Sequence, residues 1–160
     1  IAGLRRAQAL KKLPAIVEFV KDLLEQEIPV VLFGYHKQVV EELIKEFSQY
    51  NPLTITAETS SAERSRLVDE FQTNEERLLF IGSMVASGIG ITLTKSSTVV
   101  LAELDWSPSV IDQAVCRCHR IGTINPVTAY YFVVDNSIEE TIADVVVEKA
   151  STFAEVLEND

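Results

Sequence analysis

The sequence has 160 residues and a net charge of −10 at neutral pH, with 47% hydrophobic and 24% charged residues. This length suits one domain with a sizeable core, and the composition is ordinary for a globular protein. The acidic total argues against a surface that binds nucleic acid all over, so we expect any such contact to be local. No apolar run is long enough to span a bilayer, and we expect no membrane partner. The chain starts at Ile1 rather than Met, so we expect it to be part of a longer protein.

Five short apolar runs alternate with helix-like segments along the chain. They are predicted as strands at residues 30–36, 53–57, 78–83, 99–104 and 127–134. Strands that are apolar on both faces and separated by helices predict a parallel sheet covered on both sides. We therefore predict an α/β fold with one domain over residues 1–160. Its site is expected at the carboxyl ends of the strands, where ligands of such sheets bind.

Helices are predicted before, between and after these strands. A leading helical segment is assigned to residues 1–28, where an apolar stripe starts at Leu13 and Pro14 suits the first turn. Ser60 and Glu63 have the spacing of a capping box, which predicts a helix start between the second and third strands. A C-terminal helix is assigned to residues 137–160.

The segment DQAVCRCHRIGT contains both cysteines, one of the two histidines and two arginines. On a helix predicted over residues 109–120, Cys116 and Cys118 are about 200° apart, so they cannot bind one metal ion together. Cys118 falls on the apolar side, where it behaves as a small core residue. A Cys–His nucleophile pair is also disfavoured, since His119 lies on another side of the helix and no separate base is evident.

The opposite side of this helix presents Gln113, Arg117 and Arg120. Two arginines on one face with no acid between them repel each other, so an anionic partner is attractive. Guanidinium groups donate bidentately to phosphate oxygens, which favours phosphate as that anion. A solvated pair of arginines is the alternative interpretation.

The stretch SMVASGIGIT follows a buried strand and is rich in small residues. Small residues let a backbone approach a ligand, and free amides in such a loop can bind an anion. The loop is not a dinucleotide fingerprint, because the third glycine would fall at Leu93. It is not a Walker A loop either, because no Gly-Lys-Ser/Thr follows.

Four blocks of the sequence together resemble the second RecA-like lobe of Swi/Snf-family DNA translocases, within helicase superfamily 2. VVLFGYHKQVVEEL resembles that family's motif IV, and TSSAERSRLVDEFQ resembles the helix after it. GSMVASGIGITLTKSSTVVLAELDWSP resembles motif V with the family's Trp-x-Pro loop. DQAVCRCHRIGT matches motif VI, and the resemblance covers nearly the whole chain.

The resemblance implies a DNA-dependent ATPase of two lobes, in which ATP with Mg²⁺ is held mainly by the first RecA-like lobe. Arg120 would be the arginine finger that reaches the γ-phosphate, and Arg117 would contact phosphate or organise the finger. Gln113 would help to close the nucleotide site. Gly88 and Gly90 would bring the motif V backbone near the ribose and phosphates.

On the DNA side, the resemblance implies that Ser83 touches a phosphate and that His36 and Lys37 lie near the tracked strand. The partners would be double-stranded or branched DNA and the first lobe. The setting would be cytoplasmic in a bacterial or phage-infected cell, or nuclear in a eukaryote. Val85 stands where many members have lysine, and Thr123 replaces the usual glutamine of motif VI. These departures bear on DNA affinity more than on the ATPase role.

This sequence contains no phosphate-binding loop and no magnesium-holding Asp-Glu pair of a first lobe. We therefore expect the isolated chain to be inactive. Two alternatives remain open at this point. The chain could be a non-catalytic lobe that docks a partner or regulates, or it could belong to an unrelated nucleotide-binding enzyme with a doubly wound sheet.

Overall fold

The structure is a computed structural model that describes residues 2–86, 90–105, 107–119 and 126–144. Its elements in chain order are α1 (Ala2–Glu25), β1 (Val30–Gly34), α2 (Lys37–Glu46), a short 3₁₀ helix (Ser48–Tyr50), β2 (Leu53–Ile55), α3 (Ser61–Thr73), β3 (Leu79–Ser83), β4 (Thr98–Leu101), α4 (Pro108–Cys116) and β5 (Thr128–Tyr131). A last helix, α5, covers residues 138–144 at the edge of a described range. Within the described ranges, no helix combines the length and the apolar character needed to cross a membrane.

Within the described part of the chain, the five strands are parallel and form one sheet in the order β2-β3-β1-β4-β5. Alternate residues of the central strand β1 enter two buried clusters on opposite faces. Val31 and Phe33 pack with residues of α3 and α4, whereas Val30 and Leu32 pack with residues of α1 and α2. The predicted α/β fold, a parallel sheet covered by helices on both faces, is confirmed.

The strand β5 differs from its prediction because it lies at the edge of the sheet. It is shorter than the predicted 127–134, and none of its residues is buried. Tyr130 and Tyr131 are each 39% exposed, and the Tyr130 ring packs edge-on against Phe19 of α1 with centroids 4.8 Å apart. An edge strand has a neighbour on one side alone, so an apolar run does not guarantee burial.

Pro14 lies inside α1 and not in its first turn, so this part of the prediction is wrong. The helix already includes Ala2, and Pro14 lies in its interior. An interior proline removes one backbone hydrogen bond and costs about 3 kcal/mol. Ala9, Ile16 and Val20 are completely buried on the two sides of Pro14. Each fully buried Ile or Val contributes about 1.5–3 kcal/mol, so tertiary packing outweighs the break.

The helix α4 ends earlier than the predicted 109–120, with Arg117 as its C-cap residue. The last turn is tight, because the amide of Cys118 donates to the Val115 carbonyl at 3.1 Å and that of His119 to the Cys116 carbonyl at 3.2 Å. The Arg117 carbonyl instead accepts from the Leu93 amide of another segment at 2.8 Å. The predicted helical face that joined Gln113, Arg117 and Arg120 therefore does not continue past Arg117, and Arg120 lies outside the described residues.

Candidate functional site at the carboxyl edge of the sheet

The carboxyl ends of β1 and β4 lie side by side at the point where the chain direction diverges. The chain leaves β1 toward β2 on one side of the sheet and leaves β4 toward β5 on the other. A crevice at such a switch point is the usual ligand site of an open parallel sheet. His36 lies in the loop after β1, Ser83 is the last residue of β3 and Glu103 lies in the loop after β4, so the structure brings two predicted DNA-side residues to this edge.

Glu103 is a buried acid that sequence reasoning did not single out. It is 2% exposed and accepts hydrogen bonds from the amides of Tyr35 at 2.7 Å and His36 at 2.8 Å. Its second oxygen pairs with Nδ1 of His36 at 2.5 Å. The carboxylate thereby fixes the loop after β1 and engages one ring nitrogen of His36. An acid directly after a buried strand was the available signal, but that position was assigned to the strand itself.

The first turns of α1 also reach this edge. Arg5 is 9% exposed, and its side chain donates to the carbonyl of Leu104. The Arg5 guanidinium lies 5.5 Å from the centre of the Tyr35 ring, within the range of a cation–π interaction. Helix α1 therefore supports both the loop after β1 and the loop after β4.

Lys37 lies in an acidic environment, which the family resemblance did not indicate. Its ammonium pairs with Glu58 at 2.7 Å and more loosely with Glu41 at 3.8 Å. The hydrogen bond between them raises the pKa of Lys37 and lowers the pKa of Glu58. Both side chains are more than 70% exposed, so the pair contributes little to stability.

A cleft of about 230 Å³ links these residues to the end of β3. Its lining includes Lys37, Glu58, Ser83 and Val85. The Ser83 hydroxyl is 3.5 Å from the Ala86 amide, which donates to it, and Val85 is 63% exposed. Since Glu41 also lines the cleft, the lining contributed by described residues carries two acids and one cation.

Of the predicted nucleotide-side residues, the structure places Gly90 on the loop after β3, Gln113 within α4 and Arg117 at the end of α4. Gly90 and Arg117 line one open cavity of about 170 Å³, together with Thr92, Cys116 and His119 among others. Gly90 has φ +64°, a left-handed conformation that favours glycine. Gln113 is exposed on α4, one turn before Arg117. Gly88 and Arg120 lie outside the described residues.

The two cysteines are separated as the helical count predicted. Cys118 is 2% exposed in the core, Cys116 is exposed, and both thiols are free. Burial raises the pKa of Cys118 to about 12, so its thiol stays protonated at neutral pH and is a poor nucleophile. In the described ranges, no group of three or more His, Cys, Asp or Glu side chains is arranged to hold a metal ion.

Residues 11–122 match the family described as the helicase conserved C-terminal domain. This chain belongs to the helicase conserved C-terminal domain family. The match includes the loop after β3, the end of α4 and the residues His36, Lys37 and Ser83. It begins within α1, so Arg5 lies outside the matched range.

Two curated relatives of this helicase C-terminal domain have names that refer to chromatin. The "SWI/SNF-related matrix-associated actin-dependent regulator of chromatin subfamily A-like protein 1" of Xenopus tropicalis is 32% identical over 154 residues, which is 94% of this chain and 16% of that protein. The "Chromatin-remodeling ATPase INO80" of Saccharomyces cerevisiae is 34% identical over 131 residues, covering 80% of this chain and 9% of that protein. The chain thus spans less than a fifth of the length of these relatives.

A solved structure with the same fold is the C-terminal part of the Fun30 ATPase domain. It superposes with a TM-score of 0.76 at 27% sequence identity, over 84% of this chain and 44% of that chain. Together with the family match, this likeness confirms the resemblance to the second RecA-like lobe of Swi/Snf-family proteins. It also removes the alternative of an unrelated doubly wound enzyme.

Proposed function

We propose that this chain is the C-terminal lobe of an ATP-dependent double-stranded DNA translocase or remodeller, and that it supplies motifs IV, V and VI. The observation that carries the proposal is the cavity shared by Gly90 and Arg117. Gly90, which is exposed, and Arg117, the C-cap residue of α4, line it together. Glycine-containing loops and guanidinium groups both bind phosphate.

The size of this cavity supports a nucleotide that is held mainly by another lobe. Pockets that enclose a small molecule usually measure about 300–1,000 Å³, and this one measures about 170 Å³. It suits a phosphate group, for which Arg117 would donate hydrogen bonds and the Gly90 backbone would leave room. We assign the adenine, the remaining phosphates and Mg²⁺ to a first RecA-like lobe, with Arg120 as arginine finger and Gln113 and Gly88 beside it.

The DNA side of the proposal rests on the loop after β1, the start of α2 and the end of β3. His36, Lys37 and Ser83 lie at the same edge of the sheet. Contacts from them to the backbone of a DNA duplex would not depend on its base sequence. The acids near Lys37 would keep the affinity of the lobe for DNA low and sensitive to salt. Double-stranded or branched DNA is the proposed partner. The relatives described above are eukaryotic, which supports a nuclear location over a bacterial one.

The test uses the full-length protein that carries this lobe together with its first lobe. Arg120→Ala should lower DNA-stimulated ATP hydrolysis by roughly 10³-fold or more, as loss of an arginine finger does. Arg117→Ala should also lower it. The matched control is Arg66→Ala, since Arg66 is an exposed arginine of α3 paired with Glu63 and Glu70. Full stimulation in Arg120→Ala would refute the finger assignment.

A second candidate function is a non-catalytic docking lobe, and the acidic surroundings of Lys37 favour it. In that case the Arg117 and Arg120 variants would retain the activity of the full-length protein, and the isolated chain would not bind DNA even at low salt. The translocase proposal expects the isolated chain to be inactive as an ATPase but to bind duplex DNA weakly at low salt. Anisotropy of a labelled duplex distinguishes the two.

A further inference from the structure

We propose that α3 holds both ends of the loop between β3 and β4 through Arg64 and Gln72, which are positioning residues for the nucleotide side of the site. The inference rests on the proposed function, because the loop carries Gly90 and its amide at Leu93 binds the Arg117 carbonyl. It goes beyond that function by assigning roles to two residues of α3, a helix that carries none of the DNA-side or nucleotide-side residues named above.

Arg64 holds the first end of the loop. Its Nε donates to the Thr59 carbonyl at 3.0 Å, and its Nη1 donates to the Ala86 carbonyl at 2.9 Å. Its Nη2 lies 3.5 Å from the Thr56 carbonyl. The planar guanidinium can meet several carbonyls at once, which a lysine ammonium cannot do with the same geometry. Arg64 thus ties the loop after β3 to the segment that precedes α3.

Gln72 holds the second end of the loop with both atoms of its amide. Its Oε1 accepts from the Lys95 amide at 2.9 Å, and its Nε2 donates to the Thr94 hydroxyl at 2.8 Å. The Lys95 ammonium adds hydrogen bonds of 2.7 Å to the carbonyls of Asn74 and Arg77, just after α3. The strand β4 starts three residues later, so this end is fixed before the chain re-enters the sheet.

The two anchors act as a unit because they belong to one helix that is fixed in the core. Arg64 and Gln72 are eight residues apart, which is about 12 Å along a helix and a rotation of about 80°. Between them, Leu67 and Phe71 are buried, and the Phe71 ring packs edge-on against Phe80 of β3 at 5.5 Å. The distance between the two ends of the loop is therefore set by a rigid element.

This arrangement couples the position of α3 to the position of the end of α4. The Leu93 amide donates to the Arg117 carbonyl at 2.8 Å, one residue before Thr94, which Gln72 holds. If the loop loses its anchor at Gln72, the Arg117 carbonyl loses a fixed donor. The expected consequence is a slower chemical step. DNA binding should be unchanged, because the hydrogen bonds of the Gln72 side chain go to Thr94 and Lys95 and not to a proposed DNA-side residue.

The test combines hydrogen exchange and kinetics in the full-length protein. Gln72→Leu removes both hydrogen bonds at similar size, and Arg64→Ala removes the other anchor. We expect exchange of amides in residues 90–95 to accelerate roughly tenfold relative to β1 in Gln72→Leu, as loss of a half-buried hydrogen bond predicts. The value of kcat should fall by a similar factor, with KM for DNA unchanged.

Two further variants separate positioning from simple stability. Gln72→Glu should restore slow exchange and most of kcat, since a carboxylate accepts from the Lys95 amide and the Thr94 hydroxyl can donate to it. Arg66→Ala, two residues from Arg64 on the exposed side of α3, should change neither readout. Unchanged loop exchange in Gln72→Leu overturns the proposal, and so does equal acceleration in β1.

Faster loop exchange with normal kcat in Gln72→Leu would overturn the positioning role. If the wild-type protein shows no ATP hydrolysis, the proposed function fails, and the exchange data still decide whether α3 holds the loop.

Discussion

The buried ion pair between Lys12 of α1 and Glu139 of α5 is predicted to be no more stabilising than an apolar pair at the same positions. Replacing only one of the two residues is nevertheless predicted to destabilise the fold strongly. Their side chains are 6% and 2% exposed, and Lys12 Nζ lies 2.7 Å from the Glu139 carboxylate and 2.7 Å from the Phe132 carbonyl. Burial lowers the pKa of Lys12 in spite of the opposing hydrogen bond and charge of Glu139. For the Lys12 ammonium, the effect of burial therefore outweighs the attraction of Glu139.

The magnitude follows from what each substitution leaves behind. Lys12→Met leaves a buried carboxylate without its cation, and Glu139→Leu leaves a buried ammonium without its anion. Each single change should lower the free energy of unfolding by about 3–5 kcal/mol. The double variant leaves no buried charge at these positions. It should lie within about 1 kcal/mol of the wild type or be more stable than it, since apolar replacement of a buried pair is often neutral or favourable.

The assay is urea unfolding of the chain, followed by circular dichroism and compared at equal m-values. Lys11→Met serves as the control, because Lys11 is the exposed neighbour of Lys12 on the same helix. If the double variant is destabilised by the sum of the single effects, the desolvation argument is wrong. The same holds if Lys12→Met behaves like Lys11→Met.

Three further predictions follow from other contacts. Glu58→Gln should raise the affinity of the lobe for duplex DNA several-fold at low salt, because it releases Lys37; unchanged anisotropy of a labelled duplex would contradict this. Iodoacetamide should label Cys116 and spare Cys118 in the folded chain. The free energy of unfolding should also fall between pH 9 and about 12, because the pKa of Cys118 is raised in the folded chain and the unfolded chain therefore loses the thiol proton first. Cys118→Ala should reduce this fall, and its persistence unchanged would count against the assignment. Ser60→Ala should cost about 1 kcal/mol in urea unfolding, since its hydroxyl accepts from the Glu63 amide at 3.2 Å; a loss below a few tenths would contradict the cap.

The sequence predicted well those elements whose own residues decide their structure. β1 and β3 are apolar on both faces, and the structure places them within two residues of the prediction. The start of α3 followed from Ser60, although the Glu63 carboxylate binds Arg66 rather than returning to the cap. In each case the signal is local.

The predictions that failed depended on partners distant in sequence. The end of α4 is set by the Leu93 amide, and the exposure of β5 is set by its edge position. Neither the pairing of Lys37 with Glu58 nor the role of Glu103 could be predicted, because these partners lie 21 and 67 or more residues away. The nucleotide role of Arg120, which the family resemblance implies, stays a prediction.

Helix α1 has one more consequence, which concerns how the lobe is attached. Its 24 residues span about 36 Å, and the helix crosses the lobe from Arg5 at the carboxyl edge of the sheet to the turn that leads into β1 at the amino edge. In a longer polypeptide, the residues that precede Ala2 are therefore joined to the lobe at the edge that carries the site. A change in the direction of that connection would act through Arg5 on the loops after β1 and β4. The geometry of the site would then depend on the direction from which the preceding chain enters.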